Sequence, residues 1–207
     1  VDVLNARTGA FIDRIDVSAY GHINSVSIST GIAAFAIESS VRTNPGVVAL
    51  FDTSTRSLLA GTNTITVGAL PDMLTFTPDG SHLLVANEGE PDSYNQSTSI
   101  DPEGSISVIR LGKLKPDATR IERTVLTANF QAFNGKKQRL QEAGVRIFGP
   151  GATVAQDLEP EYIAVSDDGR TAWVTLQENN AIAVLDVRNA RITDIKPLGF
   201  KNHNMAG

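Results

Sequence analysis

Acidic and amide side chains recur at a matching place in three stretches of the chain. Asn24, Asp72 and Glu161 are each the second residue of a short apolar stretch, namely Ile23–Ile28, Pro71–Phe76 and Pro160–Val165. Carboxylates gathered in a partly desolvated site repel one another, raise one another's pKa and are relieved by a bound cation. Because oxygen ligands favour Ca²⁺ or Mg²⁺ over Zn²⁺, the pattern indicates a site that binds a hard cation or another ligand.

The polar loops between these stretches hold further acidic residues and few cations. The candidate ligand-binding residues are Asn24, Asp72, Asn87, Glu88, Glu90, Glu159, Glu161 and Glu178. Within this set we predict that Asp72, Glu88 and Glu161 are metal ligands, for Ca²⁺ or another divalent cation. The D-x-[DN]-x-[DN]-G spacing of an EF-hand loop does not occur. The alternative, that these acids only keep polar loops solvated, therefore stays open.

The elements that must position these residues form a repeat. Each apolar stretch is followed by a small turn, an apolar run, a polar loop and a third apolar run; the turns are Ser29–Gly31, Thr77–Gly80 and Ser166–Gly169. Asn24 and Asp72 are 48 residues apart, close to the ~40–50 residues of one β-propeller blade. Three to four short strands per repeat are typical of such a blade. The sequence therefore predicts an all-β fold, a partial β-propeller of about three to four blades.

The repeat also sets the expected organisation of the chain. We expect one domain over residues 1–207, with blades at 21–68, 69–156 and 157–200 and the end of a preceding blade at 1–20. Val1–Val3 is similar to Leu185–Val187, so the sequence is expected to open inside a blade and to be a piece of a longer protein. Closed propellers have typically 4–8 blades. The expected partners are therefore the remaining blades, in the same protein or in a second fragment.

The middle blade carries an insertion, because Asp72 and Glu161 are 89 residues apart. The insertion has two parts, a polar loop over residues 87–104 and a longer segment over residues 111–158. Apolar residues near helical spacing, followed by a glycine, predict a short helical insertion there: Phe130, Phe133, Leu140 and Ala143, then Gly144. Gly135 is expected to split the segment into two short helices. We expect the insertion to decorate the edge of a blade.

Composition excludes several classes of protein. The 207 residues are 41% hydrophobic with a net charge of −5, which argues for one globular domain and against a nucleic-acid partner. No run of about 18 apolar residues occurs, so no membrane span is expected. Cysteine is absent, which excludes disulfides and thiolate metal sites. Trp173, the single tryptophan, alternates with apolar positions and is predicted to pack in the core.

Nucleophilic catalysis has little support in the sequence. The three histidines, His22, His82 and His203, are interpreted as turn or surface residues. The motifs G-x-S-x-G, H-E-x-x-H, G-x-G-x-x-G and G-x-x-x-x-G-K-[ST] do not occur. Whether the protein is an enzyme stays open at this point.

Several longer blocks carry a family resemblance that covers nearly the entire chain: Val85–Pro91, Asp101–Ser105, Asp157–Ser166, Val174–Ala181 and Pro197–Lys201. These blocks resemble the choice-of-anchor I family of bacterial surface and exported proteins, which is related to YVTN-type β-propellers. The resemblance implies a seven-bladed ring and an extracellular, periplasmic or cell-surface location. Some members are labelled alkaline-phosphatase-like, and others mesenchyme-specific cell surface glycoprotein-like.

The resemblance and the acidic residues together favour a non-catalytic propeller that binds a ligand or protein partner on an acidic face, with Ca²⁺ as a candidate cofactor. The alternative is a metal-dependent phosphoesterase, in which carboxylates hold divalent ions that polarise a phosphate and activate water. A purely structural adhesive module is a third interpretation. This interpretation predicts that the role of the protein does not depend on the clustered acidic residues.

Overall fold

The protein is built from short antiparallel strands. A computed structural model describes residues 1–59, 64–94, 96, 98–112, 123–202 and 204. Strands β1 Asp2–Leu4 and β2 Phe11–Arg14 form a hairpin, and three four-stranded sheets follow. They consist of β3 His22–Ser29, β4 Ile32–Glu38, β5 Pro45–Asp52 and β6 Ile65–Ala69; β7 Pro71–Phe76, β8 His82–Asn87, β9 Ser105–Leu111 and β10 Arg123–Asn129; and β11 Ile163–Val165, β12 Thr171–Leu176, β13 Ala181–Asp186 and β14 Arg191–Pro197.

Each four-stranded sheet is a meander whose strands pair in the order of the chain. Successive antiparallel meanders packed face to face are the blades of a propeller. The predicted fold class, an all-β partial β-propeller with a short helical insertion, is therefore confirmed. No helix among the described residues is long and apolar enough to cross a membrane.

The turns between first and second strands follow from local side-chain chemistry. The carboxylate of Asp79 accepts hydrogen bonds from Thr77 Oγ1 at 2.7 Å and from Ser81 N at 3.0 Å. Asp168 binds Ser166 and Arg170 in the same way in the third sheet. The glycine after each aspartate has a φ of +69°, a conformation that glycine adopts without strain. These hydrogen bonds lower the pKa of Asp79 to about 2.

Alternation along the strands builds three apolar layers. One layer joins the β1–β2 hairpin to the first sheet, a second lies between the first and second sheets, and the largest lies between the second and third sheets. Phe35 and Phe51 lie in the first of these layers, with ring centroids 5.1 Å apart. The layers fix the sheets in sequence order and so bring corresponding strand ends together.

The predicted helical segment is present and is short. A 3₁₀ helix spans Gln131–Lys136, and helix α1 spans Lys137–Glu142 and ends before Gly144, whose φ is +101°. Helix α2, Val154–Asp157, begins with a capping box between Thr153 and Gln156. Part of the predicted insertion, residues 113–122, lies outside the described residues.

This segment does more than decorate an edge, because its apolar side chains complete the largest core layer. Phe130, Val154 and Leu158 are fully buried there together with strands of the second and third sheets. The segment is therefore part of the packing that holds these two sheets together.

The outer faces of the first and third four-stranded sheets are only partly covered. On the first sheet the β1–β2 hairpin leaves Val26 and Ile28 exposed, and on the third sheet Tyr162 and Trp173 are exposed. The prediction that Trp173 packs in the core is wrong: its neighbours Ala172 and Val174 face the core, so the period-2 alternation turns Trp173 outwards, 44% exposed.

Candidate functional site

Backbone irregularities place two of the predicted residues at one end of the sheets. The pairing of β3 with β4 shifts between Ile23 and Ser25, and that of β7 with β8 shifts between Pro71 and Met73. Asn24 and Asp72 are thus the extra residues of equivalent β-bulges, which often re-aim a side chain. Asn24 Nδ2 donates to Pro71 O at 3.2 Å and ties the two bulges together.

Glu161 occupies the corresponding place in the third sheet. It lies just before β11, and its N–H donates to Thr175 O at 3.0 Å. The carboxyl group of Asp72 contributes to raising the pKa of Glu161, so these two side chains face the same region. Asn24, Asp72 and Glu161 therefore lie at the same end of the molecule.

The ends of the second strands add a second row of acids. Glu38 is the last residue of β4, Glu88 directly follows β8, and Glu178 lies two residues beyond β12. One carboxylate oxygen each of Glu38 and Glu178 is buried without a hydrogen-bond partner among the described residues. Six acidic residues at this end of the sheets form a set that we call the acidic face: Asp72, Glu88, Glu90, Glu159, Glu161 and Glu178.

Burial is the main reason why several carboxyl groups of the acidic face have raised pKa values. It raises the pKa of Glu88 to about 8, with the charges of Glu90, Asp72, Glu159 and Glu161 acting in the same direction. The pKa of Glu161 rises to about 7 through burial and its closeness to Glu178. Burial also raises the pKa of Asp72. Protonation of these carboxylates, or the binding of a cation to them, would relieve the repulsion between their charges.

Glu159 is the most enclosed member of the acidic face. Its residue surface is only 4% exposed, and its backbone N–H donates to Asn179 Oδ1 at 3.1 Å. No hydrogen-bond donor or cation among the described residues contacts its carboxylate. Burial, followed by the charges of Glu178 and Glu90, raises its pKa to about 7. Among the described residues, the fully buried carboxylate oxygens without a hydrogen-bond partner belong to Glu38, Asp101 and Glu178, and such atoms are unusual in a native protein.

One cation reaches the acidic face in the described part of the chain. Arg42, in the loop after β4, forms an ion pair with Glu90, and Tyr94 Oη donates to the other oxygen of Glu90 at 3.0 Å. Glu90 therefore has a counter-ion. Glu88, Glu159 and Glu161 have no such counter-ion among the described residues.

Asn87 does not present a free polar group to the acidic face. Its side chain is fully buried, where Oδ1 accepts from Gly68 N at 3.0 Å and Nδ2 donates to Ser107 Oγ at 2.9 Å and to both oxygens of Ser105. These bonds use its donors and its acceptor within the second sheet and the neighbouring strand. Asn87 therefore stiffens the strand end that carries Glu88.

The carboxylate oxygens of the acidic face are suitable metal ligands, but they do not form a closed coordination shell. Among the described residues, no three acidic or histidine side chains are positioned together to hold an ion. His82 begins β8 and so lies at the strand end opposite Glu88, while His22 begins β3 beside Glu38. His203 lies outside the described residues.

Asn179 is a central residue of this region that the sequence did not single out. It is fully buried. Its Nδ2 donates to Arg146 O at 2.9 Å and to Asp157 O at 2.7 Å, and its Oδ1 accepts a hydrogen bond from Glu159 N. Asp157 in turn accepts hydrogen bonds from the N–H groups of Phe148 and Gly149. These hydrogen bonds fix the position of the backbone at Glu159. A polar residue in a polar run gives no signal of such burial.

Comparison with known proteins identifies the family and the fold. The sequence model of the choice-of-anchor I domain matches residues 1–207, the whole chain. No curated protein matches the sequence. Among solved structures, the hydrazine synthase of Kuenenia stuttgartiensis is similar with a TM-score of 0.59 at 12% identity, over 96% of this chain and 56% of that one.

A functionally unknown protein from Desulfotomaculum acetoxidans is also similar, with a TM-score of 0.51 at 19% identity, over 89% of this chain and 43% of that one. The chain thus spans about half the length of these two structures. At such identities the likeness concerns the fold alone.

Proposed function

The chain belongs to the choice-of-anchor I family, and on that basis we propose that it is a binding module of a surface or exported protein. Its acidic face takes up positively charged ligands, among them Ca²⁺. Family membership supports the location, whether extracellular, periplasmic or at the cell surface. The acidic face supports the binding role.

The observation that carries the proposal is the state of Glu159. The residue is only 4% exposed, and its carboxylate has no donor or cation within the described residues and lies in the field of Glu178 and Glu90. Such a group costs stability when it is ionised, unless a cation pairs with it. A ligand of positive charge would supply that missing partner.

Ca²⁺ is suited to the donors, which are all carboxylate oxygens. Asp72, Glu88 and Glu161 are the proposed ligands, because their charges already act on one another. Their present positions leave the shell open, so binding requires these side chains to draw together or to share water molecules with the ion. The same oxygens can accept hydrogen bonds from an ammonium or guanidinium group.

Titration calorimetry with CaCl₂, MgCl₂ and spermidine tests this role. Protons compete with cations for Glu88, Glu159 and Glu161, whose pKa values are about 8, 7 and 7. We therefore expect the affinity at pH 8.5 to exceed that at pH 6 by at least tenfold. A matched pair of variants sharpens the test: Glu161→Gln is expected to weaken binding, whereas Glu142→Gln, exposed on α1, leaves it unchanged. No saturable heat with any of the three cations at pH 8.5 would remove the proposal.

The phosphoesterase alternative draws on the resemblance and the divalent-ion hypothesis, and the positions of the described side chains do not favour it over binding. The same experiment separates the adhesive interpretation from the binding role, because a purely structural module predicts equal behaviour of Glu161→Gln and Glu142→Gln.

We propose further that additional blades, in the same protein or a second fragment, cover the exposed parts of the outer faces of the first and third four-stranded sheets. Ile28 is 67% and Tyr162 is 65% exposed on these faces, and apolar patches of this kind mark interaction surfaces. The 207-residue chain is therefore expected to bind the dye ANS, and Ile28→Ser with Trp173→Ser to reduce the signal at least twofold. Phe200→Ser, outside both sheets, is the control. Dye fluorescence no higher than in buffer would speak against an uncovered apolar face.

A further inference from the structure

A cleft of about 360 Å³ lies on the outer rim between the second and third four-stranded sheets. Its walls come from three elements: Thr127 and Asn129 from β10, Phe133 and Lys136 from the 3₁₀ helix, and Arg191 from the start of β14. The volume is in the range of small-molecule sites. Its described lining shares no residue with the acidic face or with the exposed residues of the outer sheet faces.

The charged residues described in this cleft are both cations. Lys136 Nζ lies 4.7 Å from the centroid of the Phe133 ring, which holds the ammonium group over the wall of the cleft. Arg191 is exposed beside it, and neither side chain forms an ion pair with a described residue. No acidic residue is found among the described lining residues. The lining is therefore positive in a chain with a net charge of −5. Outside the lining, Asp186 lies opposite Arg191 in the pairing of β13 with β14, and the charge of Arg191 contributes to lowering the pKa of Asp186.

Uncharged donors complete the lining. Asn129 uses Oδ1 to accept from Gln131 N at 3.2 Å, which leaves its Nδ2 without an acceptor among the described residues. The Thr127 hydroxyl likewise has no partner there. The cleft thus offers two charged and two neutral donors, while the buried Phe133 supplies an apolar floor.

We propose that this cleft binds a tetrahedral oxyanion, the phosphate or sulfate group of an ester. Charge-assisted hydrogen bonds from guanidinium and ammonium groups are the usual means of binding such anions, with arginine able to contact two oxygens at once. Asn129 and Thr127 donate to the remaining oxygens, and the organic part of the ester packs on Phe133. The proposal does not depend on cation binding at the acidic face.

Amide NMR spectra of the ¹⁵N-labelled chain, titrated with phenyl phosphate, phenyl sulfate and phenol, test it. Saturable shifts at Thr127, Asn129, Lys136 and Arg191 are expected with the two esters and not with phenol. The ester that binds with the lower Kd shows whether the cleft prefers a phosphate or a sulfate group. Lys136→Gln and Arg191→Gln are each expected to raise Kd about tenfold.

Arg139→Gln is the matched control, because Arg139 is exposed on α1 and does not line the cleft. It should change Kd less than twofold. Shifts spread over the surface, or equal weakening by Arg139→Gln, would reduce the effect to long-range attraction and overturn the proposal, as would the absence of saturable shifts at the four residues.

Discussion

Replacing Asn179 by alanine is expected to lower the free energy of unfolding by about 3–5 kcal/mol. The change removes the partners of Arg146 O, Asp157 O and Glu159 N, which are held at 2.9, 2.7 and 3.1 Å. Each buried polar group left unsatisfied costs about 1–3 kcal/mol. Urea unfolding followed by circular dichroism measures the difference, with the slope of the transition checked for two-state behaviour.

The exposed neighbour Gln177 provides the control for this change. Gln177→Ala keeps the backbone carbonyl that accepts from Arg146 and removes only an exposed side chain. It should alter the free energy of unfolding by less than about 0.5 kcal/mol. Equal stabilities for the two variants would show that the Asn179 network does not hold the segment that carries Glu159.

Replacing Glu159 by glutamine is expected to stabilise the protein in alkaline solution only. The folded state raises the pKa of Glu159 from 4.5 to about 7. Its contribution to stability is therefore fully present below pH 4.5 and is lost as the pH rises through about 7. At pH 8.5 the variant avoids an ionised, enclosed carboxylate, which corresponds to about 2–3 kcal/mol after solvent screening.

Thermal unfolding at two pH values measures this effect. The Tm of Glu159→Gln should exceed that of the parent protein by roughly 5–10 °C at pH 8.5 and equal it at pH 4.5. Glu142→Gln makes the same charge change on an exposed surface, so it should leave Tm nearly unaltered at both values. A gain for Glu159→Gln that is the same at pH 4.5 and pH 8.5 would mean that ionisation of this residue is not its cause.

Local chemistry made much of the fold predictable. Asp79 and Asp168, each followed by glycine, dictate turns whose hydrogen bonds lie within four residues of sequence. The repeat aligned Asn24 with Asp72, and the structure gives both the same bulge. Gly144 ended the helix because a residue with positive φ is needed there. In each case the decisive interaction is local, so the sequence contains it.

The remaining features depend on contacts between distant segments. Asn87 ends β8 and Asn179 lies in the turn between β12 and β13, and neither shows in sequence that its partners enclose it completely. Trp173 follows strict alternation, but which of two faces is covered depends on the neighbouring sheets. The pKa values of Glu88 and Glu161 are raised first by burial and then by the charges of acidic residues from the second and third four-stranded sheets. Acidic residues were therefore predictable as a group, and their degree of burial was not.

Carboxyl ¹³C chemical shifts of glutamate followed from pH 3 to pH 10 test the central claim most directly, with signals assigned through Glu88→Gln, Glu159→Gln and Glu161→Gln. Packed sheets that gather these side chains at one end should give titration midpoints of about 8 for Glu88 and about 7 for Glu159 and Glu161, and saturating Ca²⁺ should lower all three. Midpoints below pH 5 for all three residues would contradict the existence of the acidic face.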